Sequence, residues 1–310
     1  MDFDIVIKIL VAAVAAGTPF VYAALGELVT EKSGVLNLGV EGMMLIGAVT
    51  GFIAMAKTSS LLLAVICGMG AGALLAAIFA VLTLTLMANQ VAAGLALTIF
   101  GIGLSAFAGL DYTSVALPGI AKLHIPLLST IPVVGKLFFS YDILVYGSLV
   151  LFIAVSWFLY KTRAGLVLRG IGEAPKSAHA LGYNVIGIRY LAVLFGGAMA
   201  GLGGVYLSVA YTPVWVEDMV AGRGWVSLAL VVFATWRPAR VLAGAYLFGA
   251  ITIAQFHVQG MGIDIPSQLL SMLPYIATII VLVFISRNLQ TIRLNSPASL
   301  GITYHPDNQQ

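Results

Sequence analysis

Asn37 and Glu41, an amide and a carboxylate that could hydrogen-bond a polar solute, stand four positions apart in the stretch GELVTEKSGVLNLGVEGMMLIGA, residues 26–48. On one continuous helix that spacing puts both groups on a single face, where they suit hydroxyls and the edges of heterocycles. The same pair would serve equally as a hydrogen-bonded tie between helices. A carboxylate at the middle of a membrane span costs roughly 2.5 to 3.5 kcal/mol on insertion scales, so Glu41 is expected to be paired, protonated or facing a watery cavity. Gly34, Gly39 and Gly42 surround these groups and predict a broken or closely approached helix, the device by which transporters expose backbone groups to a central path. Asn37, Gly39, Glu41 and Gly42 are therefore the candidate solute-path residues.

A second polar segment carries Lys161, Arg163, Arg169, Lys176 and Arg189 against Glu173 alone, which predicts the cytoplasmic side of a membrane. Within it, Pro175 and Gly182 bracket a helix of two turns or less, outside the membrane and ending on a glycine stop. That has the form of a docking element, although a plain basic connecting loop would read similarly.

Other chemistry is poorly supplied. No Gly-x-x-x-x-Gly-Lys-Ser/Thr phosphate cradle occurs, so ATP is not expected to bind this chain. Four scattered histidines and the single Cys67 provide neither a nucleophile with its base nor a metal set, and Gln255, His257, Gln259 and Asp264 lack metal-ligand spacing. No catalytic residue, metal or cofactor is expected. Glu217, Asp218 and Arg223 read as a solvated loop.

The elements that must hold these groups are set by composition. The chain is 61% hydrophobic and 9% charged, and from Thr58 to Leu110 there is no Asp, Glu, Lys or Arg, more than two bilayer crossings require. The runs lack the alternation of a barrel strand, leaving helices. The expectation is an all-α membrane protein, a polytopic bundle of about eight transmembrane helices. They are placed near residues 5–26, 35–56, 60–87, 92–110, 142–160, 190–210, 241–256 and 271–286. The apolar run from Gly224 to Trp236 is too short to cross and predicts a half-helix. Counting from the basic segment puts 27–34, the Asn89-Gln90 break, Arg237, Arg240, Arg287 and Arg293 inside, and 111–141 and the N-terminus outside. The proline-spaced 111–141 segment reads as an outer surface loop. No cleaved signal peptide is expected, since Asp2 and Asp4 precede the first apolar run. Cys67 reads as small packing filler, Trp215, Trp225 and Trp236 as headgroup anchors, and the pairs Gly68/Gly72 and Gly197/Gly201 as close helix contacts. Basic residues beside spans argue against nucleic-acid binding despite a net charge of +3.

The segments Gly26–Ala48, Arg169–Leu207 and Gly222-Arg-Gly-Trp-Val-Ser-Leu-Ala-Leu together resemble the permease subunits of bacterial ABC importers of the branched-chain amino acid, simple sugar and nucleoside group, most of all the nucleoside permeases. The resemblance covers about Pro19 to Phe284. It implies a single transmembrane permease domain over 1–290, a cytoplasmic coupling helix in the loop 161–189 and a cytoplasmic C-terminal tail over 291–310. Glu173, Pro175, Ala178, Ala180 and Gly182 would form the ATPase-coupling element. The implied partners are ABC ATPase subunits that use the ATP, a second homologous permease subunit, an extracytoplasmic solute-binding protein and the lipid bilayer. The implied location is the bacterial cytoplasmic (inner) membrane, multi-pass. Ala174 stands where that family usually has a polar residue, and His179 and Tyr183 are individual to this chain, which bears on partner specificity. Nucleosides are the implied solute, simple sugars or branched-chain amino acids the alternatives. An ion-coupled secondary transporter using Glu41 is the rival from another class.

Overall fold

The computed structural model describes residues 3–123, 139–260 and 295–305, with scattered positions in 135–137 and 266–283. Ten α-helices are laid out among them: α1 Phe3–Lys32, α2 Val40–Thr58, α3 Leu61–Ala80, α4 Gln90–Gly109, α5 Ile143–Lys161, α6 Arg163–Glu173, α7 Pro175–Ala180, α8 Val185–Val205, α9 Arg223–Phe233 and α10 Pro238–Gly260. α3 and α8 each run on into a π-helical turn, Val81–Thr85 and Tyr206–Tyr211. Among the described residues β structure is limited to the isolated bridge between Ala116 and Val214.

Seven of these helices, α1 to α5, α8 and α10, are long and apolar enough to cross a membrane. The eighth expected span, near 271–286, lies mostly outside the described residues, as do Asp264, Pro126 and Pro132. α1 runs to Lys32, past the expected end of the first span, so Glu27 and Glu31 belong to the helix and not to a connection.

Local chemistry explains where helices begin. The side chains of Ser60, Asn89, Asp142, Thr162 and Asn184 each accept an amide of the first turn of α3, α4, α5, α6 and α8, satisfying donors that the helix itself leaves orphaned.

In lipid, helices gain little from burying apolar area and associate through close packing. α8 is the centrepiece, packed against α1, α2 and α3. Its contact with α3 depends on the expected glycines: a Cβ on Gly72 would lie 2.9 Å from Gly201 Cα, and one on Gly197 would meet the Ala76 Cβ and, at 2.6 Å, Gly72 O. The outer faces of α3, α4 and α5 expose Leu62, Leu74, Ile99, Phe107 and Ile153, as a lipid-facing surface should.

Two expectations are corrected here. Cys67 is exposed on the outer face of α3 and fills no interior space. Trp215 and Trp236, 1% and 4% exposed, are inside the bundle, so they cannot act as headgroup anchors. A helix end in a folded bundle can face neighbouring helices as readily as headgroups, and here these two do.

Candidate functional site

The first candidate region is the break between α1 and α2. α1 stops at a glycine cap: Gly34, at φ +91°, donates its amide to Glu31 O (2.8 Å), and the Val35 amide reaches back to Thr30 O (3.4 Å). Residues 35–38 then run outside either helix, and several of their polar groups are met by side chains of the helices around them. The Leu36 amide donates to Gln90 Oε1 (2.8 Å), the Asn37 amide to Glu27 Oε1 (3.1 Å), and the Thr98 hydroxyl donates to Leu38 O (3.0 Å). Irregular backbone at membrane depth is tolerable because protein groups satisfy it in this way.

Asn37 therefore precedes α2 and does not share a helix face with Glu41, because the cap at Gly34 ends one helix before Gly39 starts the next. Its Oδ1 accepts the Gly39 amide (2.9 Å), an Asx-type turn that tightens the break, and its Nδ2 lies 3.4 Å from Met43 Sδ. Gly39 is the N-cap of α2. Gly42 allows the expected close approach, since a Cβ there would lie 2.6 Å from Leu97 O and 2.9 Å from Thr98 Cα of α4. The four predicted residues are thus neighbours, with Asn37 and Glu41 0% and 3% exposed.

Glu41 has both carboxylate oxygens engaged. Oε1 accepts the Gly222 amide at 2.7 Å and Oε2 the Gly224 amide at 2.6 Å, so a carboxylate of α2 caps the N-terminus of α9. Charge-assisted bonds to orphan first-turn donors at the positive end of a helix dipole are among the stronger polar contacts available. At its other end α9 turns at Trp236, whose indole N–H donates to Glu31 Oε2 (2.5 Å). The half-helix is thus held by one carboxylate from α2 and one from α1, while Val226, Leu230, Val231 and Phe233 pack it against α1 and α10. Eleven residues make a rod of ~16 Å, about half the hydrocarbon thickness. Glu27 Oε2 and Glu31 Oε1 are buried and accept no hydrogen bond from the described residues.

The second region is the elbow formed by α6 and α7. Ala174 (φ −142°, ψ 77°) has left the helical region, which a following proline disfavours, and Pro175 opens α7 at a position where no backbone donor is needed. Gly182, at φ +86°, closes it: its amide meets His179 O (2.8 Å) and that of Tyr183 meets Ala178 O (3.2 Å). The expected short helix is six residues long. Ala178 is its buried residue, packed with Ile171 of α6 and Val185 of α8, whereas Glu173, Ala180 and Gly182 face outward. The structure brings the five predicted coupling residues together at the end of the bundle that carries Lys32.

A family model described as the permease component of a branched-chain amino acid transport system matches residues 9–282. The chain belongs to this permease family. Three relatives align over nearly their whole length. TsgC13 of Haloferax volcanii, provisionally named a glucose ABC transporter permease protein, is 38% identical over 95% of this chain and 96% of its own. The nucleoside ABC transporter permease protein NupC of Lactococcus lactis is 35% identical over 86% of this chain and 88% of its own. The guanosine ABC transporter permease protein NupQ of Bacillus subtilis is 34% identical over 98% of both. No solved structure matches the chain.

The permease is accordingly a multi-pass membrane protein and the transport component of an ABC system. Several structurally engaged residues escaped the sequence reading: Gly222 and Gly224 as the partners of Glu41, Trp236 as the partner of Glu31, and Arg189 inside the permease instead of on a basic loop. For Glu27 and Glu31 a signal existed, two carboxylates one helical turn apart at the end of an apolar run.

Proposed function

We propose that the permease is the membrane-spanning subunit of an ATP-driven importer in the bacterial cytoplasmic membrane, with nucleosides as its solute. The observation that carries the transport reading is α7, a six-residue helix bounded by Pro175 and Gly182 and seated on α6 and α8, which gives a separate ATPase a rigid handle on the bundle. The permease has no phosphate cradle of its own, so a partner must supply hydrolysis. Residues 1–290 act as one translocating domain, with 161–189 turned to the cytoplasm. Solute passes beside the α1–α2 break and α9, where Asn37, Gly39, Glu41 and Gly42 shape the wall, along an interface with a second homologous permease subunit. An extracytoplasmic binding protein delivers the solute. Two relatives bear nucleoside or guanosine names and one a glucose name, which supports nucleosides ahead of simple sugars and branched-chain amino acids. Family membership displaces the ion-coupled rival, and Glu41 is taken up by α9 amides.

Cells expressing the complete transporter should accumulate labelled guanosine or adenosine in an ATP-dependent, uncoupler-insensitive manner, and cells lacking this permease should not. Uptake of glucose alone would reassign the solute, and ATP-independent uptake would overturn the mechanism. For the elbow, Ala180→Trp should lower copurification of the ATPase by about tenfold, the usual scale of a disrupted interface centre, with the permease itself still monodisperse. Unchanged copurification and uptake would remove α7 from the interface.

A further inference from the structure

The segment 295–305 does not hang free. Lys32 Nζ donates to Asn295 O (2.7 Å), and both the amide and the hydroxyl of Ser299 donate to Gly172 O at the end of α6 (3.0 and 2.7 Å). Arg189 reaches it from α8: one guanidinium nitrogen donates to Ser299 Oγ (2.9 Å), Nε donates to Ser33 O (3.0 Å), and the guanidinium lies 5.7 Å from the Tyr304 ring centroid. Arg189 is 1% exposed and Ser299 6%, so the segment is built into the elbow and not merely resting on it.

These anchors hold Tyr304 opposite α7, with its ring centroid 6.4 Å from that of His179. Between them lies an open groove of about 340 Å³ whose walls include His179, Gly182, Tyr183, Val185 and Tyr304. Tyr183 in its wall is 43% exposed, and Leu181 and Ile302, each within two residues in sequence of a wall residue, are 78% and 60% exposed. All three lie outside every candidate membrane span, so lipid tails do not account for apolar side chains so open.

We propose that 295–305 forms a second wall of the ATPase-docking surface, so that the ATPase subunit seats between α7 and the strip Ile302–Tyr304. The inference rests on the reading of α7 as the coupling helix and adds to it. α7 alone offers a helix of less than two turns. The groove adds a wall tied through Ser299 and Arg189 to the same elbow, and tyrosines are enriched among the anchors of protein interfaces.

The test uses the complete transporter in membranes, in a Cys67→Ser background, with single cysteines introduced as Leu181→Cys on the α7 side and Ile302→Cys on the C-terminal side. Both should form permease–ATPase adducts with a short heterobifunctional reagent whose maleimide takes the introduced thiol and whose photoactivated benzophenone inserts into whichever ATPase residue lies against it. Adducts from Leu181→Cys alone overturn the second wall and leave the coupling helix standing. Adducts from neither position overturn the coupling reading and this inference with it. Ile302→Cys adducts with a second permease copy instead of the ATPase also overturn it. Tyr304→Ala, which leaves the Ser299 anchors in place, should lower ATPase retention by about fivefold while the permease stays monodisperse, and Tyr304→Phe should restore it. Wild-type retention in Tyr304→Ala would count against the proposal.

Discussion

Glu41→Ala should cut uptake per folded permease by more than tenfold. The substitution strips two amides at the N-terminus of α9, those of its N-cap Gly222 and of Gly224, of their acceptors in a place where Glu41 is 3% exposed. Hydrogen bonds to charged groups are worth about 1.5 to 3 kcal/mol each, and donors left buried without partners cost a similar amount again. The α2–α9 contact would lose several kcal/mol by that reckoning. Gly224 sits directly against the α2 backbone, where a Cβ would lie 2.6 Å from Glu41 Cα, so no neighbouring side chain can reach in to replace the cap. Glu41→Gln, which keeps one acceptor and turns an amide donor toward a backbone donor, should fall between wild type and alanine. ATPase copurification, followed in parallel, should stay near normal because the elbow is untouched. Wild-type uptake in Glu41→Ala would show that the cap is dispensable.

Gly72→Val should leave almost no folded permease in the membrane, and Gly70→Val, two residues away, should be nearly silent. The valine Cβ at Gly72 would stand 2.9 Å from Gly201 Cα and 3.0 Å from Gly201 N, and both obstacles are backbone. Ordinary overpacking costs about 1 to 3 kcal/mol because side chains shift aside, a relief that two crossing main chains do not have. An added Cβ at Gly70 meets nothing within 4 Å, so its replacement should stay within about 0.5 kcal/mol of wild type. Fluorescence-detected size-exclusion profiles of the two variants, with their thermal midpoints, separate these outcomes. Equal profiles would refute the backbone-contact account of the α3–α8 crossing.

Hydropathy is a local property, and what it governs was readable: seven long apolar helices, the half-helix near Gly224–Trp236, and α7 between a proline and a glycine. The glycine pairs were also readable, because small residues at helical spacing have few uses in lipid other than close approach. Pairings across the chain were not. Nothing near Glu41 in sequence hints that its carboxylate caps a helix about 180 residues away, and Trp236 at the end of an apolar run looks the same whether it meets headgroups or Glu31. Asn37 was misplaced on a helix for a related reason. The spacing to Glu41 was right for one face, but the glycine cap at Gly34 stops α1 and Gly39 starts α2 afresh. Of the candidate site, the neighbourhood was legible and the partners were not.

Ser299 lies 110 residues downstream of Arg189 and 127 downstream of Gly172, and both wait for it. As the ribosome lays down the chain, α6, α7 and α8 are complete long before the hydroxyl that braces them exists. A polypeptide cut short by a premature stop therefore carries an elbow that lacks its brace, and its buried guanidinium is missing a partner. The elbow therefore takes its braced shape only once a stretch made more than a hundred residues after it has emerged, so its folding is partly postponed.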